Sequence, residues 1–175
     1  YALEKGVEGV KSLTKKVREA VNELIKEMAK AVAISPEEII DMAVVGNTAM
    51  HHLFLGLNPQ YLGVAPFTPT LNNSLYIKAR ELDLIINPAA NVYFLPIEAG
   101  FVGADNVGVL ISQEPYLQEE ISLIIDVGTN GEILLGNKKR ILSAACATGP
   151  AFEGAHIKFG MRAAPGAIER VRIDS

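Results

Sequence analysis

The chain has 175 residues, of which 49% are hydrophobic and 21% charged, a balance typical of a globular protein rather than a disordered segment. Its formal net charge of -4 disfavours a general nucleic-acid binder, and no apolar run reaches the ~20 residues that span a membrane. The one cysteine, Cys146, excludes an internal disulfide framework or an iron–sulfur cluster held by this chain alone, and together with the lack of a secretion signal it favours the cytoplasm.

Apolar residues recur every three or four positions at the start of the chain, which predicts one long helix from Leu3 to Val32. The opposite face is charged, so we expect a lid packed on a core; a helix that binds a partner or a membrane is the alternative. Ser35-Pro36-Glu37-Glu38 is a capping box with proline at the first helical position, and it predicts a short helix through Ile40.

The next segment alternates strands with helices. Its predicted elements are a buried strand at Ala43–Val45, a helix at Ala49–Leu55, a long loop at 60–91 with one weak helix at Ser74–Leu84, a buried strand at Val92–Leu95 and a helix at Ala104–Ile111. Thr48 is interpreted as the N-cap of its helix. His51 and His52 point about 100° apart on a helix and cannot share a metal, so we interpret them as packing or interdomain contacts.

A polar stretch with a proline, 113–120, is the best linker candidate, and a meander follows it. The predicted elements are strands at Leu123–Ile125, Glu132–Leu135 and Lys139–Ala144, a turn at Gly136-Asn137, a helix from Gly149 to Phe159 and a strand at Ile168–Ile173. This order predicts an α/β fold with a mixed sheet and flanking helices. Cys146 is interpreted as a small buried residue rather than a nucleophile.

The turn after Ile125 carries the sharpest chemical signal. Asp126 ends an apolar strand, where it can face Mg²⁺ or the water bound to it. Gly128 and Gly131 let backbone N–H groups approach an anion, and Thr129 and Asn130 add side-chain donors. The alternative is an ordinary hairpin turned by Asn-Gly. The cost of an unpaired buried carboxylate favours the functional interpretation.

Asp126 to Gly131 resembles the second phosphate loop of the acetate-kinase, sugar-kinase, heat-shock-chaperone and actin superfamily, whose fold is ribonuclease-H-like. A longer set of strings, in the same order, resembles the C-terminal domain of the reductive activators of corrinoid proteins. Those strings are Val45–His52, Ala65–Phe67, Gly100–Asp105, Asp126–Glu132, Gly149–Ala155, Gly160–Arg162 and Gly166–Ile168.

This resemblance implies a partial fold, with residues 1–119 in a first lobe and 120–175 beginning a second. It implies ATP and Mg²⁺ as cofactors, Asp126 and Asp105 as residues that serve the metal, and nucleotide-facing roles for Thr148, Gly149 and Glu153. An acidic residue on the helix before the loop orients the attacking water in the superfamily; Asp105 has that place, Glu98 is its rival, and helix capping is the alternative for Asp105.

The resemblance also implies a corrinoid protein as partner, a possible homodimer and an iron–sulfur cluster in a domain outside this chain. The family's first phosphate loop, Asp-x-Gly-Thr-Thr-Thr, is absent from these residues. We therefore expect a fragment that binds ATP weakly by itself. Two other functions stay open at this point, namely a small-molecule phosphotransferase of the same superfamily and a non-catalytic interaction module.

Overall fold

The computed structural model describes residues 1–128, 130–147, 165–166 and 172–173. The chain divides into two compact units, Tyr1–Glu114 and Pro115–Ser175, and each contains a three-stranded sheet. The mixed α/β class expected from the sequence is confirmed. The expected boundary between residues 119 and 120 lies inside the second unit, and the assignment of the units to two lobes stays a prediction.

The first helix, α1, spans Ala2–Ala31 and contains one kink, at Gly6, where φ is 54° and ψ is -134°. The prediction of a long helix is thereby confirmed. Val17 and Val21 pack against the core of the first unit, while charged pairs such as Lys15–Glu19 occupy the outer face. Packing against a core is the behaviour expected of a lid, and the pairs at i, i+4 add a little helix stability.

The first sheet has the order β1-β3-β2, with β1 (Asp41–Val44) parallel to β3 (Asn91–Phe94) and β2 (Leu75–Lys78) antiparallel to β3. Helices α2 (Thr48–Leu55) and α3 (Ala104–Gln113) follow the two parallel strands. The central strand β3 carries the core, since Val92 and Phe94 are fully buried. The edge strand β1 does not match the predicted buried strand, because Ala43 on it is exposed.

The predicted weak helix at Ser74–Leu84 is wrong. Leu75–Lys78 forms β2, and a 3₁₀ turn follows at Ala79–Leu82. The reason is a cross-strand contact between residues that are distant in the sequence. Tyr76 lies directly opposite Tyr93 on β3, and the two rings stack with centroids 4.5 Å apart. Cross-strand aromatic pairs of this kind stabilise sheets and override a weak helical pattern.

The cap of α2 also differs from the prediction. Asn47 is the N-cap, and its side-chain oxygen accepts a hydrogen bond from the Met50 N–H at 2.9 Å. Thr48 is instead the first helical residue, and its hydroxyl donates to the Ala99 carbonyl at 2.8 Å. The capping box predicted at Ser35 is present, although the helix that it begins is a single 3₁₀ turn, Pro36–Glu38.

The second sheet is an antiparallel meander of β4 (Ser122–Val127), β5 (Asn130–Asn137) and β6 (Arg140–Ala147). The predicted pairing of Ile124–Asp126 with Glu132–Leu135 is confirmed. The second turn lies at residues 138 and 139 instead of 136 and 137, because the Asn137 side chain accepts the Lys139 N–H at 3.0 Å and closes the turn beyond itself.

Burial in this sheet differs from the prediction. Leu123 and Ile125 were expected to be buried, yet 60% and 57% of their surface is exposed, because successive residues of β4 alternate between two faces. Cys146, expected to be buried, is exposed. The predicted helix from Gly149 and the strand at Ile168–Ile173 lie outside the described residues, apart from residues 172–173 of the strand.

Two adjacent buried histidines in α2 help to hold the first unit together. The ring of His52 contacts the Thr48 carbonyl through Nδ1 at 2.8 Å and the Thr70 N–H through Nε2 at 2.9 Å. Nδ1 therefore donates, Nε2 accepts, and the ring is neutral. His51 packs edge-on against Phe94, and neither of its ring nitrogens has a hydrogen-bond partner among the described residues. The interpretation of the two histidines as packing residues is thereby confirmed for the first unit.

We expect the histidine pair to make stability depend on pH. Burial lowers the pKa of both His51 and His52. The unfolded chain, where histidine titrates near ~6.5, therefore binds protons more readily than the folded chain. Stability is fully present above that value and falls as the pH drops from it toward the folded-state pKa values. Urea unfolding between pH 8 and pH 5 measures the loss, and His51→Phe, which keeps a ring against Phe94, reduces it. An unchanged pH profile in His51→Phe contradicts the prediction.

Candidate functional site

The carboxyl ends of the parallel strands β1 and β3 meet through their following connections. The Gly46 carbonyl after β1 accepts hydrogen bonds from the Ala104 and Asp105 N–H groups at 3.0 and 3.4 Å, at the start of α3. The bond from the Thr48 hydroxyl to the Ala99 carbonyl joins the same two connections. In open sheets with parallel strands, ligands bind outside the carboxyl ends of the strands.

Gly103 makes this junction possible. A Cβ at this residue would lie 2.6 Å from the Cα of Asn47 and 2.7 Å from the carbonyl oxygen of Gly46. Both neighbours are backbone atoms of a turn that is already hydrogen-bonded to α3, so neither can move aside cheaply. A residue without a side chain is required where two backbones approach this closely.

Asp105 lies in the first turn of α3 and is half-buried. The N-cap is Gly103, so Asp105 is not the cap that the capping alternative assumed. Its Oδ1 accepts the Asn106 N–H at 3.0 Å, while its Oδ2 has no hydrogen bond within the described part of the chain. The rival residue, Glu98, is exposed on the connection after β3. Both carboxylates thus belong to the connections at the carboxyl ends of the parallel strands.

Asn106, which the sequence analysis did not single out, is 1% exposed, and its side-chain nitrogen has no partner among the described residues. Buried amide donors are rarely left unpaired, because the lost hydrogen bonds to water are not replaced. The only sequence signal for this buried amide is its position, between Asp105 and Val107 at the start of an apolar helix.

In the second unit the candidate residues come together at the end of the β4–β5 hairpin. Asp126 lies directly opposite Glu132, and Val127 lies opposite Gly131. Gly128 follows β4 immediately, and Asn130 begins β5. Thr129, Thr148, Gly149 and Glu153 lie outside the described residues.

The carboxylate opposite Asp126 was missed by the sequence analysis. Glu132 is 6% exposed, although it is only the third residue of β5, a position that suggests a solvated strand end. Directly opposed residues share a face of the sheet, with Cβ atoms about 4.5–5.5 Å apart, and like charges there destabilise the pair. The hairpin therefore places two carboxyl groups on one face beside its turn.

Two carboxylates beside a glycine-containing turn fit a Mg²⁺ ion. Mg²⁺ is usually bound by one or two carboxylates, with the remaining oxygens coming from water and phosphate. Among the residues that the structure describes, no group of three histidine, cysteine, aspartate or glutamate side chains could hold a metal ion. Asp126 and Glu132 therefore suit an ion brought with a phosphate ligand better than an ion held by the protein alone.

Comparison with known proteins agrees with these features. The sequence profile of the RACo middle region matches residues 1–117, and that of the C-terminal domain of RACo, the ASKHA domain, matches residues 120–175. The chain belongs to this family of reductive activators of corrinoid proteins. The resemblance inferred from the strings around Asp126 and Asp105 is thereby confirmed, and the partial actin-like fold with it.

Similarity to individual proteins supports the same family. The chain is 40% identical over 166 residues to the corrinoid activation enzyme RamQ of Eubacterium limosum, covering 95% of this chain and 28% of that protein. It is 30% identical over 161 residues to the [Co(II) methylated amine-specific corrinoid protein] reductase of Methanosarcina barkeri, covering 86% of this chain and 29% of that protein. A solved reductive activator for corrinoid, iron-sulfur protein superposes with a TM-score of 0.81 at 42% identity, covering 97% of this chain and 27% of that one.

The chain thus spans less than a third of the length of each of these relatives. Among the described residues, no helix has the length and apolar character needed to cross a membrane.

Gly103→Ala tests the junction of the two connections. We expect it to destabilise the first unit by about 1–3 kcal/mol, the usual cost of forcing extra atoms into a packed site. Gly108→Ala, one turn further along α3, is the matched control: its Cβ would lie 3.3 Å from a Val45 methyl group, which can shift. Alanine is also the better helix former. Thermal unfolding of both variants decides the matter, and equal stabilities would refute the role of Gly103.

Proposed function

We propose that these residues form part of an ATP-dependent reductive activator of corrinoid proteins. Hydrolysis of ATP to ADP and phosphate is coupled to a conformational change that makes the reduction of Co(II) to Co(I) feasible. One electron passes to the cobalt from an iron–sulfur cluster held outside these residues. The observation that carries this proposal is the hairpin with Asp126 opposite Glu132 beside a glycine-containing turn, in a chain of the reductive-activator family.

The β4–β5 hairpin binds the phosphates in this proposal. Gly128 and Gly131 let the phosphates approach the backbone closely, and Asp126 holds Mg²⁺ or its bound water, which offsets the negative charge of the phosphates and of the carboxylate pair. Thr129 and Asn130 add side-chain donors. Thr148, Gly149 and Glu153 complete the nucleotide contacts, with the first two at the predicted start of a helix, where free N–H groups favour phosphate.

The water-orienting residue is Asp105 in this proposal, with Glu98 as its rival. A general base must accept a proton from the attacking water. Oδ1 of Asp105 already accepts the Asn106 N–H, so Oδ2 is the oxygen that remains for this role. Asp105 lies in the first unit and Asp126 in the second, and the proposal gives each carboxylate a separate task.

Coupling requires that nucleotide states differ in their affinity for the corrinoid protein, since a ligand shifts an equilibrium only by its differential affinity for the two states.

We assign the protein to the cytoplasm and allow for a homodimer, with neither a membrane nor a nucleic acid as partner. A phosphotransferase would instead release ADP together with a phosphorylated small molecule.

Asp126→Asn in the full-length protein tests this function. The amide keeps the shape of the side chain but loses the charge that a hard cation prefers, so Mg²⁺-ATP affinity and turnover fall together. ATP hydrolysis and the Co(I) absorbance of the corrinoid protein are followed in the same reaction. Asp41→Asn on the exposed edge strand is the control and leaves both unchanged. Free phosphate release that never depends on the Co(II) corrinoid protein would contradict the proposal.

Asp105→Asn separates catalysis from a structural role. Its amide oxygen can still accept the Asn106 N–H, so folding and nucleotide affinity are preserved. The loss of a general base lowers kcat by roughly 10²–10⁴-fold. Single-turnover hydrolysis and nucleotide titration measure the two quantities separately. If kcat stays within about threefold of the wild-type value, a small change in the activation free energy, the role passes to Glu98, which Glu98→Gln then tests.

A further inference from the structure

A cavity of about 480 Å³ lies in the first unit, between α1, the end of α2 and Asp83. Its volume is within the range of about 300–1,000 Å³ that small-molecule sites occupy. None of the candidate catalytic or nucleotide-binding residues lines it. An inference about this cavity is therefore independent of the proposed ATPase function.

Cationic side chains dominate the α1 wall of the cavity. Lys11, Lys15 and Arg18 line it at i, i+4 and i+7, on one face of the helix. The two lysines form ion pairs with Glu8 and Glu19, but their side chains are 69% and 76% exposed. Such exposed pairs contribute little and are easily exchanged for another anion.

Arg18 is held in a fixed position with one nitrogen left over. Its side chain is 14% exposed, Nε donates to the Phe54 carbonyl at 3.0 Å, and Nη1 donates to Asp83 at 3.0 Å. Nη2 makes no hydrogen bond in the part of the chain that the structure describes. A guanidinium fixed in this way has lost its rotamer freedom already, so a further hydrogen bond costs little entropy.

Thr14 and Gly56 lie beside that free nitrogen. Gly56, with φ at 75°, ends α2, and a Cβ there would lie 3.9 Å from Arg18 Nη2 and 3.9 Å from Thr14 Oγ1. Thr14 is 8% exposed, and its hydroxyl has no partner among the described residues. Two uncommitted donors therefore lie within 4 Å of the place where a Gly56 side chain would begin.

The remaining polar groups of the cavity are already engaged. The Asn22 amide donates to the Asp83 carbonyl at 2.8 Å and accepts the Ile85 N–H at 3.1 Å. Glu19 pairs with Lys15, and Asp83 pairs with Arg18. The uncommitted groups are thus Arg18 Nη2 and the Thr14 hydroxyl. They select a ligand that supplies hydrogen-bond acceptors, and the guanidinium favours acceptors that carry negative charge.

We propose that this cavity binds a small molecule through a phosphate or carboxylate group, which accepts hydrogen bonds from Arg18 Nη2 and the Thr14 hydroxyl. Lys11 and Lys15 attract the anion, and their contribution weakens as ionic strength rises. The ligand satisfies a buried hydroxyl that is otherwise without a partner, and this relief favours binding.

The test titrates the full-length protein with inorganic phosphate and, separately, with succinate, after a non-hydrolysable ATP analogue with Mg²⁺ has filled the nucleotide site. Amide ¹H–¹⁵N signals of Thr14 and Gly56 report on the cavity itself. We expect both signals to shift in a saturable way with at least one of the two anions, and the tighter anion identifies the head group. Absence of a saturable shift with both anions overturns the proposal.

Variants distinguish this site from general attraction of anions. Thr14→Val is nearly isosteric and removes only the unpartnered hydroxyl, so the fold is preserved and affinity falls about tenfold, the usual weight of a hydrogen bond to a charged group. Lys15→Gln weakens binding severalfold. Lys26→Gln is the matched control, since Lys26 lies on the same helix, pairs with Glu23 and does not line the cavity. Equal affinities in all three variants would show that the anion binds elsewhere.

Discussion

The close approach of Gly103 to the turn at Gly46 and Asn47 is the constraint on which the first unit depends. It joins the connection after β1 to the connection after β3, and the hydrogen bonds to the Gly46 carbonyl exist only because no side chain separates the two backbones. The same contact fixes the start of α3 and therefore the position of Asp105. The position of Asp105 in this unit consequently depends on one glycine, in addition to the core centred on β3.

The elements that the sequence predicted well are those whose signal is local. The periodic apolar face of α1 and the Asp-to-Gly turn between β4 and β5 are encoded within a few residues, and the structure contains both. The strand β2 was missed because its stability comes from Tyr93, seventeen positions away from Tyr76. Window-based patterns do not contain such contacts.

The candidate site shows the same division. Asp126 was predicted because it ends a strand two residues before a glycine, and Asp105 because it starts a helix at a place that resembles the superfamily's acidic residue. The burial of Glu132 opposite Asp126 depends on strand register, and the free hydroxyl of Thr14 depends on how α1 packs beside Gly56. Neither feature has a sequence motif, since both arise from residues brought together by the fold. Fold-level geometry therefore added one carboxylate to the proposed phosphate site and revealed a cavity unrelated to it.

The carboxylate pair also suggests how the proposed ATPase function could reach the rest of the protein. Like charges at directly opposite strand positions disfavour the hairpin, whereas a cation bound with phosphate at the same place favours it. Under the proposed function, the stability of the β4–β5 end therefore depends on which nucleotide state is bound. Backbone pairing of β5 with β6, through Gly131 and Cys146, joins this end of the hairpin to the third strand of the sheet. A charge pair at a hairpin end is thus an element whose energy the nucleotide can change, as coupling to a partner requires.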